Sequence, residues 1–392
     1  MNLKYSALDL SFYEVHSPTR PQHIGALISF EQEYPVSKLE HNLARIPSEY
    51  PTLLYRTNVL GRSNIAPPFF KSLDILEPIS RFVAKRMMSE DFYKDRMWEI
   101  LHLRSPESGQ TYILFKLHHS LADGVSGLNF FHDIILGTKN RNRVRKSPKK
   151  EVSFFKSLKA MYGEATLSSI TAETEINETA QREISLLKVP IDQINLMKKR
   201  YGTGIHAISL FISSEIYFAH FINEIKFRAL IPVGLKEGRK QGILGNYIGG
   251  TSLEVEKGRS TNLEKLNEIA TSLYKKSGPE AYGAYLYFSK ILRILPSVFS
   301  KKIARFESGK ISAIVTSLNG PKALEENAFL SEYAIPALMP GQKIAFGFIK
   351  NKNYLDISII TDPGTYTKLA VLNESIASAL KFCEINNWKF DN

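Results

Sequence analysis

Cysteine is almost absent from this chain of 392 residues: Cys383 stands alone, so no internal disulfide is possible. It lies near the C-terminus with no base beside it in sequence, and it reads as an inert helix residue rather than a nucleophile. Long apolar runs are also lacking, since no stretch approaches the roughly 18 residues that span a bilayer. The start, Met1 to Ser6 followed by Asp9 and Glu14, has no apolar core of a signal peptide. The expected location is cytoplasmic, at most peripheral on the inner membrane face or on lipid inclusions. No cluster of Cys, His and Glu has ligand spacing, so no metal and no cofactor are expected. No internal repeat is apparent, and no nucleic-acid-binding module accompanies the net charge of +12.

The most informative segment that is present is His118-His119-Ser120-Leu121-Ala122-Asp123-Gly124. Thr111 to Leu117 is rich in β-formers and has no breaker, which predicts a strand with alternating faces. Ile113, Phe115, Leu117 and His119 then share an apolar face, while Tyr112, Leu114, Lys116 and His118 share a mixed one. His119 is therefore the better candidate for chemistry, because an imidazole in a partly apolar cavity titrates near neutrality and can take a proton from a hydroxyl or thiol. Asp123 could orient it or brace the turn. A bland reading stands beside this one: a buried histidine is usually a hydrogen-bonded core residue, and Asp-Gly before a helix is usually turn chemistry with Asp as N-cap.

Elsewhere the pattern predicts helices over Phe154 to Glu164, Asp192 to Lys199 with a stop at Gly202, Ile205 to Tyr217, and an amphipathic one from Thr367 to Ile385. Strands are expected at Phe227 to Pro232, Ile311 to Thr316, Lys343 to Lys350 and Tyr354 to Ile360, the last two forming a hairpin. The length and the 43% hydrophobic content suit two domains. Basic residues crowd Lys139 to Lys150, a solvated loop that marks a boundary. The division is 1–138, then a basic linker and crossover 139–187, then 188–392.

The block Asp95 to Ile100, followed by a Gly-containing turn, a strand and the HHSLADG run, resembles the bacterial wax ester synthase/diacylglycerol acyltransferase family, whose signature is HHxxxDG. Ser6 to Asp9, Ser17-Pro18-Thr19 and His23 to Leu27 look like that family's opening. Arg228 to Val233, Leu244-Gly245-Asn246 and Gly320-Pro321 look like its later segments. The resemblance implies an α/β (α+β) fold of two chloramphenicol-acetyltransferase-like domains, each a mixed sheet with flanking helices, and an active-site tunnel between them. It implies an O-acyltransferase that moves a fatty acyl group from acyl-CoA, as co-substrate, to a long-chain alcohol or a diacylglycerol.

In that reading His119 is the base and His118 supports it. Asp123 holds the loop and the second domain in place, and Gly124 permits the turn into the helix. Asn246, Thr316 and Ser317 are candidates to stabilise the oxyanion, although a Gly-Asn turn is more often there for backbone geometry. Trp98 resembles an aromatic that lines the tunnel or packs beneath it, and as a core residue on a strand it needs no substrate at all. The family's Pro-Leu-Trp block reads Arg96-Met97-Trp98 here, the region between Arg56 and Ala84 is short, and its Ser-Asn-Val-Pro-Gly-Pro run reads Thr316 to Pro321.

The basic balance fits an anionic membrane or lipid-inclusion surface, or the phosphates of the acyl donor, since each Lys or Arg near anionic lipid contributes roughly 1 kcal/mol. A basic loop that only aids solubility is the plain alternative. Two other functions share these features. One is a condensation-type enzyme acting on an amine or carrier-linked group, and the other is a non-catalytic coat of neutral-lipid inclusions.

Overall fold

A computed structural model describes the chain except for residues 1–6, 51–54, 59–60, 65–68, 90–96, 138–152, 166–178, 235–243, 259–260, 296, 321–328, 363–368 and 392. The basic run from Lys139 to Lys150 and Pro321 therefore lie outside the described residues.

The first half runs α1 (Ala7–Glu14), β1 (His23–Phe30), α2 (Val36–Ala44), α3 (Ile46–Glu49), the hairpin β2 (Tyr55–Asn58) and β3 (Gly61–Asn64), β4 (Phe69–Asp74), α4 (Ile79–Met88), β5 (Trp98–Arg104), β6 (Thr111–His118) and α5 (Gly124–Leu136). After α6 (Phe154–Ala165), the second half continues with β7 (Glu183–Pro190), α7 (Ile191–Tyr201), α8 (Ile205–His220), β8 (Lys226–Gly234), β9 (Ile248–Glu256), α9 (Asn262–Lys276), α10 (Pro279–Ile294) and α11 (Ser297–Gly309). It closes with β10 (Ala313–Asn319), β11 (Phe329–Ile335), β12 (Ile344–Lys350), β13 (Tyr354–Thr361), α12 (Leu369–Phe382) and β14 (Lys389–Phe390).

Two mixed sheets result, in the orders β11-β1-β6-β5-β4 and β14-β7-β13-β12-β10-β8-β9. Local sequence explains several boundaries. α7 ends where Gly202 takes a left-handed φ of 61°, which costs a residue without Cβ little. α9 opens on a capping box in which Thr261 and Glu264 each satisfy the other's backbone N–H. α8 is apolar almost all round and is buried accordingly. The tenth strand begins two residues later than the apolar run from Ile311 suggests. Ile311 N–H still bonds back to Ser308 O at 3.1 Å, finishing the turn after α11.

The halves are not separable along the sequence. β11 comes from the second half yet pairs antiparallel with β1, and so forms the edge of the first sheet. It also passes over β12 and β13: Ser358 Oγ donates to Ala334 O, and Glu332 N–H donates to Asp356 Oδ2 at 2.7 Å. Glu332 also bonds His132 of α5. Each sheet has its own apolar core, and a third core is shared, joining Leu27, Leu101 and Leu114 and the Val83 face of α4 to Ile184, Leu186 and Ile360.

Gly347 lies where this crossover is tightest, because a Cβ there would overlap the Ala334 carbonyl oxygen. A backbone oxygen held in two sheets cannot swing aside as a side chain would. Gly347→Ala is therefore expected to destabilise the protein near the upper end of the about 1–3 kcal/mol typical of overpacking, read as a lower urea midpoint.

Candidate active site

β6 carries the site to its position. It is buried along its whole length, with Ile113, Phe115 and Leu117 in one core and Tyr112 and Leu114 in the other, which is the alternation its sequence predicts. The alternation persists past the end of the strand. His119 emerges on the wall of a cavity of about 500 Å³ between the two halves, beside Phe12, Leu117 and Gly124 of the first half and Leu230, Thr316 and Ser317 of the second. His118 lies on the other side of the chain and does not line that cavity.

The ring of His119 is fixed from three directions. Its backbone N–H donates to Gln22 O at 2.7 Å, and Phe12 stacks on the imidazole with centroids 3.7 Å apart and planes 10° apart. Asn246 fixes the third direction. Its Nδ2 donates to Asp9 Oδ1 at 2.9 Å and to His119 O at 2.7 Å, which leaves its Oδ1 facing His119 Nδ1 at 3.0 Å. An amide oxygen can only accept, so Nδ1 carries the proton and Nε2 keeps its lone pair. Among the described residues none hydrogen-bonds Nε2. Asp9 also accepts from the backbone N–H of Asn246 at 3.0 Å, locking the turn that holds this amide.

Burial lowers the pKa of His119, and the nearby Asp123 and the bond to Asn246 only partly offset it. The imidazole is thus neutral near pH 7, the form a base needs. Since the folded value lies below the unfolded one of 6.5, the unfolded chain takes up the proton first. The associated stability is complete above pH 6.5 and is lost as pH falls from there through the folded value.

The remaining sequence candidates occupy different places. His118 is fully buried, accepts at Nδ1 from Ser120 N–H at 3.2 Å, and meets His16 Nδ1 with Nε2 at 3.1 Å. Burial holds its pKa well below the usual histidine value. Asp123 is the N-cap of α5, accepting from Ser126 N–H at 2.7 Å, and its other oxygen accepts from Tyr247 N–H at 2.8 Å. It therefore ties the start of α5 to the Gly-Asn turn of the second half. Gly124 needs no special backbone, because it is not among the glycines with positive φ and a Cβ would meet nothing within 4 Å. What its small size does is leave the cavity wall open.

Asn246 is not placed as an oxyanion donor, because both its Nδ2 hydrogens are committed and it lies behind His119. Thr316 and Ser317 do line the cavity. Trp98 does not: it is 2% exposed and packs edge-on against Phe130 in the first core. Asp9 and Phe12 were not singled out as site residues by the sequence. Asp9 stood only among the residues that look like the family's opening, and nothing in the local pattern marks Phe12 as a stacking partner.

The fold and this site define a class, a two-lobed chloramphenicol-acetyltransferase-like protein with a buried histidine at the seam. Residues 244–383 match the family model described as the WS/DGAT C-terminal domain. Over these residues the chain matches the C-terminal domain of the wax ester synthase/diacylglycerol acyltransferases, and the family resemblance read in its sequence is borne out there. No curated protein matches in sequence. Among solved structures, the wax ester synthase/diacylglycerol acyltransferase from Marinobacter aquaeolei VT8 superposes with a TM-score of 0.62 at 16% identity, over 96% of this chain and 97% of that one. The first condensation domain of the CDA synthetase gives 0.65 at 12% identity, over 96% and 94%. The EpoB cyclization-docking bidomain from Sorangium cellulosum gives 0.63 at 13%, over 98% and 85%. At these identities the likeness is one of fold.

Asp123→Ala removes a helix cap and a charge-assisted bond between the halves. Its expected cost is about 3 kcal/mol, combining roughly 1 for the cap with about 2 for the second bond, measured as a drop in melting temperature.

Proposed function

We propose that this acyltransferase moves a fatty acyl group from a coenzyme A thioester to the hydroxyl of a long-chain alcohol or a diacylglycerol, with His119 as the general base. The observation that carries this reading is the His119 ring, whose Nδ1–H is held by Asn246 Oδ1 while Nε2 is left for the cavity. The hydroxyl oxygen attacks the thioester carbonyl carbon as Nε2 takes its proton. The tetrahedral intermediate then collapses, the C–S bond breaks, and Nε2 returns the proton to the sulfur, so free thiol and ester leave together. Thr316 and Ser317 are the candidates to donate to the oxyanion, where one lost donor commonly costs about 3 kcal/mol of barrier.

The apolar character of the cavity supports lipid substrates, and the net charge of +12 would draw the phosphates of an acyl donor or an anionic membrane or inclusion surface. Among the described residues no helix is long and apolar enough to cross a membrane. The condensation-domain neighbours keep a carrier-linked donor or an amine acceptor as the second reading, and the match to the WS/DGAT C-terminal domain favours the first.

The test is release of coenzyme A thiol from palmitoyl-coenzyme A with hexadecanol, with a diacylglycerol and with no acceptor. Acceptor-dependent release is expected, and His119→Ala should lower it by about 10²–10⁴-fold. Activity only on a carrier-linked donor would select the condensation reading, and near wild-type turnover in the variant would sink the role of His119. The acid limb of kcat/KM should have its midpoint below 6.5, since the base is lost only when His119 protonates. Asn246→Ala should move that midpoint further down, because the Asn246 bond raises the His119 pKa. It should also lower kcat by about tenfold or more as the ring loses its fixed tautomer.

A further inference from the structure

A second cavity, of about 170 Å³, lies behind the first and is framed by α1, α6, α10 and the end of α11. Phe12, Leu230, Gly250, Tyr285 and Met339 line both cavities, so the two share a wall formed by these residues. The far walls are mostly apolar, with Val15, Met161, Ala284, Phe288 and Ile311. Several polar groups at its border are turned to other partners. Lys310 Nζ donates to Glu307 Oε1 at 2.8 Å, Ser289 Oγ donates to Tyr285 O at 2.8 Å, and Ser308 Oγ donates to Pro340 O.

Gly250 contributes no side chain to the dividing wall, and the Leu230 side chain packs against it. A Cβ there would come within 2.8 Å of Leu230 Cδ1 and 3.7 Å of Tyr285 Cδ2. Phe12 stands at the junction, with its ring stacked on His119 while it borders the second chamber. The chamber thus lies next to His119 across the Phe12 ring, and the Leu230 and Met339 side chains border both spaces.

We propose that this rear chamber is an aliphatic-chain subsite of the active site, receiving the hydrocarbon tail of a lipid substrate whose reacting end lies at His119, and that Ala284 and Phe288 set how much of the tail it holds. The assignment of the reacting end rests on the acyl-transfer reading, while the path of the tail rests on the cavity geometry. Tail and chamber are matched chemically, since each methylene moved from water to such a wall improves binding by about fourfold.

The experiment uses the full chain and two variants of opposite sense. Ala284→Phe fills the chamber and Phe288→Ala enlarges it, and neither residue lines the cavity that holds His119. Thiol release is measured across acyl donors from hexanoyl- to hexadecanoyl-coenzyme A with one alcohol, then across alcohols from hexanol to hexadecanol with one donor. Ala284→Phe should lower kcat/KM about tenfold or more for the longest chains in one series and leave the six-carbon member within about twofold. The affected series identifies whether the tail belongs to the donor or the acceptor. Phe288→Ala should shift the preferred length upward in the same series, and it keeps the test alive if the filled variant does not fold. An equal effect on short and long chains in both series would overturn the proposal.

Binding of cis-parinaric acid, read by its fluorescence, separates the two levels. If wild-type protein transfers no acyl group, that reading fails alone. Parinarate affinity weakened in Ala284→Phe would still support the subsite, and affinity unchanged in both variants would overturn it.

Discussion

The structure depends on one docking event, in which the turn Leu244 to Tyr247 of the second half seats against the loop after β6 in the first. Six hydrogen bonds made there are satisfied across the seam. Asp123 N–H donates to Gly245 O at 3.2 Å, Tyr247 N–H donates to Asp123, and Asn246 bonds both Asp9 and His119. Leaving such groups buried and unpaired would cost about 1–3 kcal/mol each, so the halves hold one relative position. That position creates the cavity, and the same contacts fix the tautomer of His119. Assembly of the fold and readiness of the site are therefore one condition.

The exchange of β11 reinforces it. A strand that leaves its own half to complete the sheet of the other cannot be released without exposing a row of backbone groups on β1 and uncovering Tyr333 and Ile335 in the shared core. Glu332 and Asp356 make the arrangement specific. Both are buried carboxylates, Glu332 bonded to His132, and burial pushes Asp356 well above the usual carboxylate range. Groups of this kind contribute little net stability but penalise any register that leaves them without partners.

Much of the local structure was legible in the sequence. The helix ending at Gly202, the apolar helix from Ile205, the hairpin around residues 351–353 and the closing helix follow from spacing and breakers, which act over a few residues. The two faces of β6 were legible for the same reason, and with them the opposite fates of His118 and His119. β7, which begins inside the stretch 139–187 assigned to the crossover, was not read as a strand, and neither were β1, β9 and β11. β1 and β11 are short runs whose burial comes from partners far away in the chain, and Gly249-Gly250 in β9 masks a strand by composition.

What the sequence determined by itself is the list of chemically able groups and their local setting: a histidine one residue past a buried strand, an aspartate at a helix start, and a lone cysteine that cannot form an internal disulfide. It also carried the family resemblance. What only the tertiary structure decided is how those groups are placed. Asn246 became the partner that orients His119 rather than an oxyanion donor, Phe12 became its stacking surface, Asp9 became the anchor of Asn246, and Trp98 went to the core. The first three depend on contacts between residues more than a hundred positions apart, and local pattern holds no information about such distances because tertiary packing sets them.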